Sequence, residues 1–118
     1  MLFKIFRLIK KIFFFRRLNH NWDTHGAAPI RWETIFNSLK LLKIIIFLVK
    51  YEKSNLYVSP LANGQIEFEW IGFYKEIIFL ISEGDSKQIE FLTVEKKGYE
   101  EVGNEYVMNK NNFLNFIR

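Results

Sequence analysis

His20, Asp23 and His25 form the one imidazole and carboxylate cluster in this 118-residue chain. Such a trio could hold a metal ion or supply a general base. A structural zinc takes four protein ligands and a catalytic one three, yet the chain has two His in all and no Cys to complete a shell. The plainer reading is a capped turn. In it Asp23 accepts backbone N–H groups of its own loop, Trp22 packs beneath the helices and Gly26 takes a conformation closed to other residues. Glu67 and Glu69 are the second candidate, about 7 Å apart on one face of a strand. Paired carboxylates can run glycosidase-type hydrolysis or bind a divalent cation. Their alternation with Ile66, Phe68 and Trp70 also reads as an ordinary solvated strand face. The sequence contains no G-x-x-x-x-G-K-[ST], G-x-G-x-x-G, G-x-S-x-G or H-E-x-x-H. Accordingly no catalytic residue, metal site or cofactor is assigned, and enzymatic activity is the less favoured expectation.

The elements that would have to position these residues are legible in the periodicity. Residues 1–18 run M-L-F-K-I-F-R-L-I-K-K-I-F-F-F-R-R-L. At 100° per residue Leu2, Ile5, Phe6, Ile9, Ile12 and Phe13 share one side, with Lys4, Arg7, Lys10, Lys11 and Arg17 on the other, which predicts a basic amphipathic helix. Charges recur too often for a membrane span or a secretory signal, so a cytoplasmic protein is expected. Residues 19–30 interrupt the period with Asn19, Asn21, Asp23, Gly26 and Pro29 and predict an ordered loop. Trp32, Ile35, Phe36, Leu39, Leu42, Ile46 and Val49 then predict a helix over 31–50, apolar almost all round in its second half and covered there by the first helix.

Beyond Lys50 the period changes from 3.6 to 2. Leu56–Ser59 and Gln65–Trp70 flank Pro60, Asn63 and Gly64 as a hairpin would. Glu76–Ser82 predicts a buried strand turned by Gly84 and Asp85, and Gln88–Glu95 alternates again. Turn signals at Lys97-Gly98 and Gly103-Asn104 suggest a short last strand at Tyr106–Met108, and Asn111 or Asn112 could cap a terminal helix over 111–117. The expected fold is a single α+β domain over 1–118: two N-terminal helices on a four- to five-stranded antiparallel meander sheet spanning 56–108, with a short C-terminal helix.

The residues N-W-D-T-H-G-A-A-P-I, 21–30, resemble the N-W-D-G-x-G-A-x-P-I signature of a group of small bacterial proteins. In that group a short helix precedes the signature, a helix follows, and a G-E-I-x-L-E-W strand comes next; G-Q-I-E-F-E-W, 64–70, takes that place here. The chain departs from the pattern at Thr24, where the group has Gly, at His25, where it often has Tyr, and at Gln65, where it often has Glu. The resemblance implies an order of elements and no activity.

Composition points to a folded protein: 49% of residues are hydrophobic, 25% charged and 18% aromatic, with thirteen Phe. The absence of Cys excludes disulfides and thiolate chemistry and fits a reducing compartment. The net charge of +4 conceals a gradient. Residues 1–18 carry six bases and no acid, residues 19–50 four bases against two acids, and residues 51–118 seven bases against eleven acids. The expected function is therefore a non-enzymatic protein-interaction module, of the antitoxin, immunity or phage-defence accessory kind. Its protein partner would meet Phe3, Phe14, Phe15, Lys10 and Lys11 of the first helix, Trp22, Asp23 and His25 of the loop, and Glu67 and Glu69 of the sheet, with Trp22, Gly26 and Pro29 shaping the loop. One alternative is a peripheral protein at the inner face of the membrane, its first helix lying on anionic headgroups. A small metal-assisted hydrolase using Asp23, His25 and Glu67 or Glu69 is another. Nucleic-acid binding ranks behind these, because phosphate attraction alone carries no specificity and the sheet belongs to the acidic half.

Overall fold

The computed structural model describes residues 2–49, 55–71, 75–84 and 87–117. Helix α1 (Leu2–Phe14) ends in a 3₁₀ turn (Phe15–Arg17), and α2 covers Trp32–Val49. Strands β1 (Asn55–Pro60), β2 (Ile66–Ile71), β3 (Lys75–Ile81), β4 (Gln88–Lys97) and β5 (Glu100–Asn109) follow, and α3 (Lys110–Ile117) closes the chain. The strands form one antiparallel meander in the order β1-β2-β3-β4-β5. This is the expected α+β architecture with five strands. Of the positions read from sequence, Met1, Lys50 and Asp85 lie outside the described residues, as do the side chains of Leu2 and Val49.

Turn chemistry sets the register. Leu61 donates its N–H to the Gln65 carbonyl at 2.8 Å and accepts the Gly64 N–H at 3.0 Å, while Gly64 sits at φ 90°. The Asn63 side chain accepts the Gln65 N–H, so the Asn-Gly pair closes the β1–β2 hairpin. Between β4 and β5 the loop is two residues, Gly98 and Tyr99, with Gly98 at φ 66° in the first central position, as a type II′ turn requires. Two expectations are corrected here. β5 is ten residues long rather than three, and Gly103-Asn104 is no turn: both residues pair within the ladder, Gly103 with Val94 and Asn104 with Thr93, because β4 is equally long and templates them. The cap of α3 is neither Asn111 nor Asn112 but Asn109, whose Oδ1 accepts the Asn112 N–H at 2.8 Å.

The core lies between the helices and one face of the sheet. Val58, Phe68, Phe79, Phe91 and Tyr106 are successive cross-strand partners, giving an unbroken inward row across all five strands. Leu56, Ile66, Trp70, Ile77, Ile81 and Ile89 fill the inward positions beside it. α1 lies over β1, α2 over β2 and β3, and α3 over β4 and β5. Phe113 of α3 is fully buried and meets Phe79 and Phe91 edge-on, with ring centroids 5.6 and 5.2 Å apart. Each such pair adds about 0.5–1.5 kcal/mol beyond the area it buries. All three helices thus cover the same face, and strand alternation turns Glu67, Glu69, Glu76, Glu90, Glu101 and Glu105 to the other.

Candidate functional site

The loop between α1 and α2 is bolted to the β1–β2 hairpin and stitched by its own side chains. Asp23 Oδ1 accepts the N–H of His25 at 2.8 Å and of Ala27 at 3.0 Å, and Asn21 Oδ1 accepts the Gly26 N–H at 2.6 Å. The Trp22 indole N–H donates to the Ala28 carbonyl at 2.8 Å, and the Ala28 N–H reaches the Ala62 carbonyl at the hairpin tip at 2.7 Å. The His25 N–H bond above all, helped by the Ala27 N–H bond and the His25 imidazole, holds the Asp23 carboxyl below its ordinary range against the opposing effect of burial. His20 and His25 are exposed. Among the described residues no three His, Asp or Glu side chains converge as metal ligands. Asp23 is therefore committed to loop geometry rather than presented to a ligand. A cleft beside α2, lined by Asn37, Lys40, Ile44, Gln88 and Glu90 among others, offers one carboxylate and no imidazole.

Three loop residues take positive φ: Gly26 at 84°, Asn21 at 65° and Thr24 at 64°. Glycine and asparagine visit this region readily, but a β-branched residue does so only under strain. Thr24 is also the position at which the signature resembled by residues 21–30 has glycine, and the backbone here explains why glycine suits it.

The outer side of the helical layer is basic and aromatic. Phe3 is 85% exposed, Phe6 and Phe14 each 55%, and Phe13, Trp32 and Phe36 also stand out from the surface. Lys4, Arg7, Lys10 and Lys11 are exposed among them. The Arg16 guanidinium lies 5.4 Å from the Trp32 ring, which itself stacks on Phe36 at 5.8 Å, and Arg17 lies 5.8 Å from Phe14. One expected contact residue is corrected: Phe15 is 4% exposed, because it lies one heptad beyond Leu8 on the side of α1 that faces the core. Phe6 and Phe13, expected inside, are outside. The buried stripe of α1 runs through Ile5, Leu8, Ile9, Ile12 and Phe15, about 60° round the helix from the arc read in the sequence. The i, i+7 pair Leu8 and Phe15 is the signal that identifies it.

The open sheet face carries the opposite charge. Ile78 and Leu80 on β3 and Leu92 and Val94 on β4 make a half-buried apolar stripe. It is flanked by Glu67 and Glu69 on β2 and by Glu101 and Glu105 on β5. One outward row reads Tyr57, Glu69, Ile78, Leu92, Glu105 from edge to edge. Among the described strand residues Lys96, opposite Glu101, is the cation that alternation places on this face. The hydrogen bond that the protonated Glu76 carboxyl donates to Glu69, partial burial and the charges of Glu69, Glu101 and Glu67 push the Glu76 carboxyl up to about 6. The sequence-predicted residues thus separate. Phe3, Phe14, Lys10 and Lys11 share the helical surface, Glu67 and Glu69 the sheet surface, and Trp22, Asp23 and His25 the loop.

No protein-family model, no curated protein and no solved structure gives a match to this chain. The signature at residues 21–30 accordingly remains a resemblance in one motif and in element order.

Two expectations follow from this geometry. Thr24→Gly relieves the left-handed backbone and should raise stability by about 0.5–1 kcal/mol after the entropy lost to a freer unfolded chain, read as a melting temperature higher by a few degrees. An unchanged or lower value would show that Thr24 is unstrained. Glu76 holds its proton more tightly when folded, so its favourable contribution is complete below about 4.5 and is lost as the pH rises through about 6. Glu76→Gln should therefore stabilise the protein by ~0.5 kcal/mol at pH 7.5 and leave it unchanged at pH 4.5, measured by chemical denaturation; an equal effect at both pH values would contradict the raised Glu76 carboxyl.

Proposed function

We propose that this protein is a non-enzymatic, cytoplasmic protein-interaction module that grips an acidic partner surface with the outer face of α1. The observation that supports it is the exposure of Phe3, Phe6 and Phe14 among Lys4, Arg7, Lys10 and Lys11. An apolar patch of this kind on a small domain marks a contact surface, and aromatics supply much contact area at little entropic cost. The rim of bases steers an acidic surface toward it and sets a salt-dependent association rate. The loop of residues 19–30 holds α1 and α2 rigidly against the sheet, so the face is preorganised. An antitoxin, immunity or phage-defence accessory role is the biological setting that suits a domain of this size and chemistry.

The same side chains support a second reading, a peripheral attachment to anionic membrane through phenylalanines inserted at headgroup depth. No helix among the described residues is long and apolar enough to cross a membrane. One pair of variants separates the two readings. Phe3→Ser with Phe14→Ser, with an unchanged circular dichroism spectrum, should abolish cross-linking to a stoichiometric protein in native cells and leave flotation with phosphatidylserine-containing liposomes absent before and after. Flotation by the wild type that is lost on Lys10→Glu with Lys11→Glu would replace the protein partner with a membrane. A wild type that binds neither would refute both readings.

A further inference from the structure

The two charged surfaces lie on opposite sides of one sheet, so neither can reach the other within a single molecule. Their shapes and charges are nevertheless reciprocal. On α1 Phe3 and Phe14 stand about 16 Å apart on one line along the helix, with Lys10 and Arg17 to one side of it and Arg7 and Lys11 to the other. On the sheet Ile78, Leu80, Leu92 and Val94 form an apolar stripe with Glu67 and Glu69 to one side and Glu101 and Glu105 to the other. We infer that the open sheet face is the docking site for α1 of a second copy of this chain, Phe3 and Phe14 seated on the apolar stripe and the flanking bases on the flanking glutamates.

Charge decides for this occupant over a face-to-face pairing of two sheets. A two-fold pairing would bring six glutamates against six, on a face where the glutamates around Glu76 already raise its carboxyl within one copy. Helix on sheet instead places opposite charges together throughout the rim. A 13-residue helix is about 20 Å long and the seven residues of β3 span about 24 Å, so α1 can lie along the strands of this face without overhang. A standard interface takes about 800 Å² from each partner, about a tenth of the 8377 Å² surface of the described molecule. Helix on sheet is heterologous: each copy uses a different surface from its neighbour, so association continues into a ring or a chain of copies instead of stopping at two. This inference shares the α1 face with the function proposed above but not its partner, and the two can fail separately.

The test uses the full chain and two variants whose secondary structure is checked by circular dichroism. Sedimentation of the wild type should show a mass that rises with concentration beyond that of a dimer, with association at least about tenfold weaker in ~0.5 M than in ~0.05 M NaCl. Phe3→Ser with Phe14→Ser spoils α1 alone, and Glu69→Lys with Glu105→Lys spoils the sheet alone; each should sediment as a monomer. An equimolar mixture should form a one-to-one dimer and nothing larger, since one good helix and one good sheet remain. A wild type monomeric at every concentration, or a mixture that does not pair, overturns the inference. In the first case a protein partner still lost with Phe3 and Phe14 leaves the proposed function standing. A wild type that stops at a dimer in which both variants still pair with themselves would show a two-fold interface elsewhere and equally overturn it.

Discussion

The inward row Val58, Phe68, Phe79, Phe91 and Tyr106 is the constraint on which everything else rests. Side chains alternate strictly along a strand, so burying this row fixes what the other face displays. A slip of one residue in β2 would send Glu67 and Glu69 into the helical layer and Phe68 into water, at a cost of several kcal/mol for each buried, unpaired carboxylate. The acidic face is therefore a consequence of the phenylalanine spine and its helical cover. Phe113 locks that arrangement from the far end, edge-on to two members of the row.

The residues that look most like chemistry are engaged in holding backbone. Asn21 and Asp23 replace the missing secondary structure of the loop with side-chain acceptors, and the indole of Trp22 ties the ascending chain to Ala28. Short polar side chains do this wherever a chain must turn without a ladder. The depressed Asp23 carboxyl has the same origin, since it reports the N–H groups pointed at it. A perturbed carboxylate beside a histidine invites a catalytic reading; here the geometry traces the perturbation to structure.

Much of this was legible in the sequence where one period dominates. α2 and β2 follow their apolar spacing to within a residue or two, and the acid-bearing face of β2 is visible in Q-I-E-F-E-W. α1 was legible as a helix but not in its rotation: with Phe, Ile or Leu at all nine non-charged positions of its thirteen, several arcs satisfy an apolar stripe, and packing on α2 selects the one through Leu8 and Phe15. β5 was hidden because its composition, E-E-V-G-N-E-Y-V-M-N, carries turn residues and charges, and pairing with β4 overrides propensity on an edge strand. The separation of the loop, the helical face and the sheet face into three places is tertiary information that no local pattern holds.

α1 divides its labour by residue type. Its buried stripe is mainly aliphatic, through Ile5, Leu8, Ile9 and Ile12, and its exposed apolar residues are phenylalanines. Solubility would favour polar residues at those outer positions, and helix propensity would favour alanine or leucine, so neither local stability nor solvation accounts for phenylalanine there. A planar ring with two rotatable bonds offers large contact area for little lost freedom, and the flanking bases keep it dispersed in water. The aliphatic side of α1 thus holds the domain together while the aromatic side faces solvent, and the acid-flanked stripe on the opposite face of the sheet is the described surface of opposite charge.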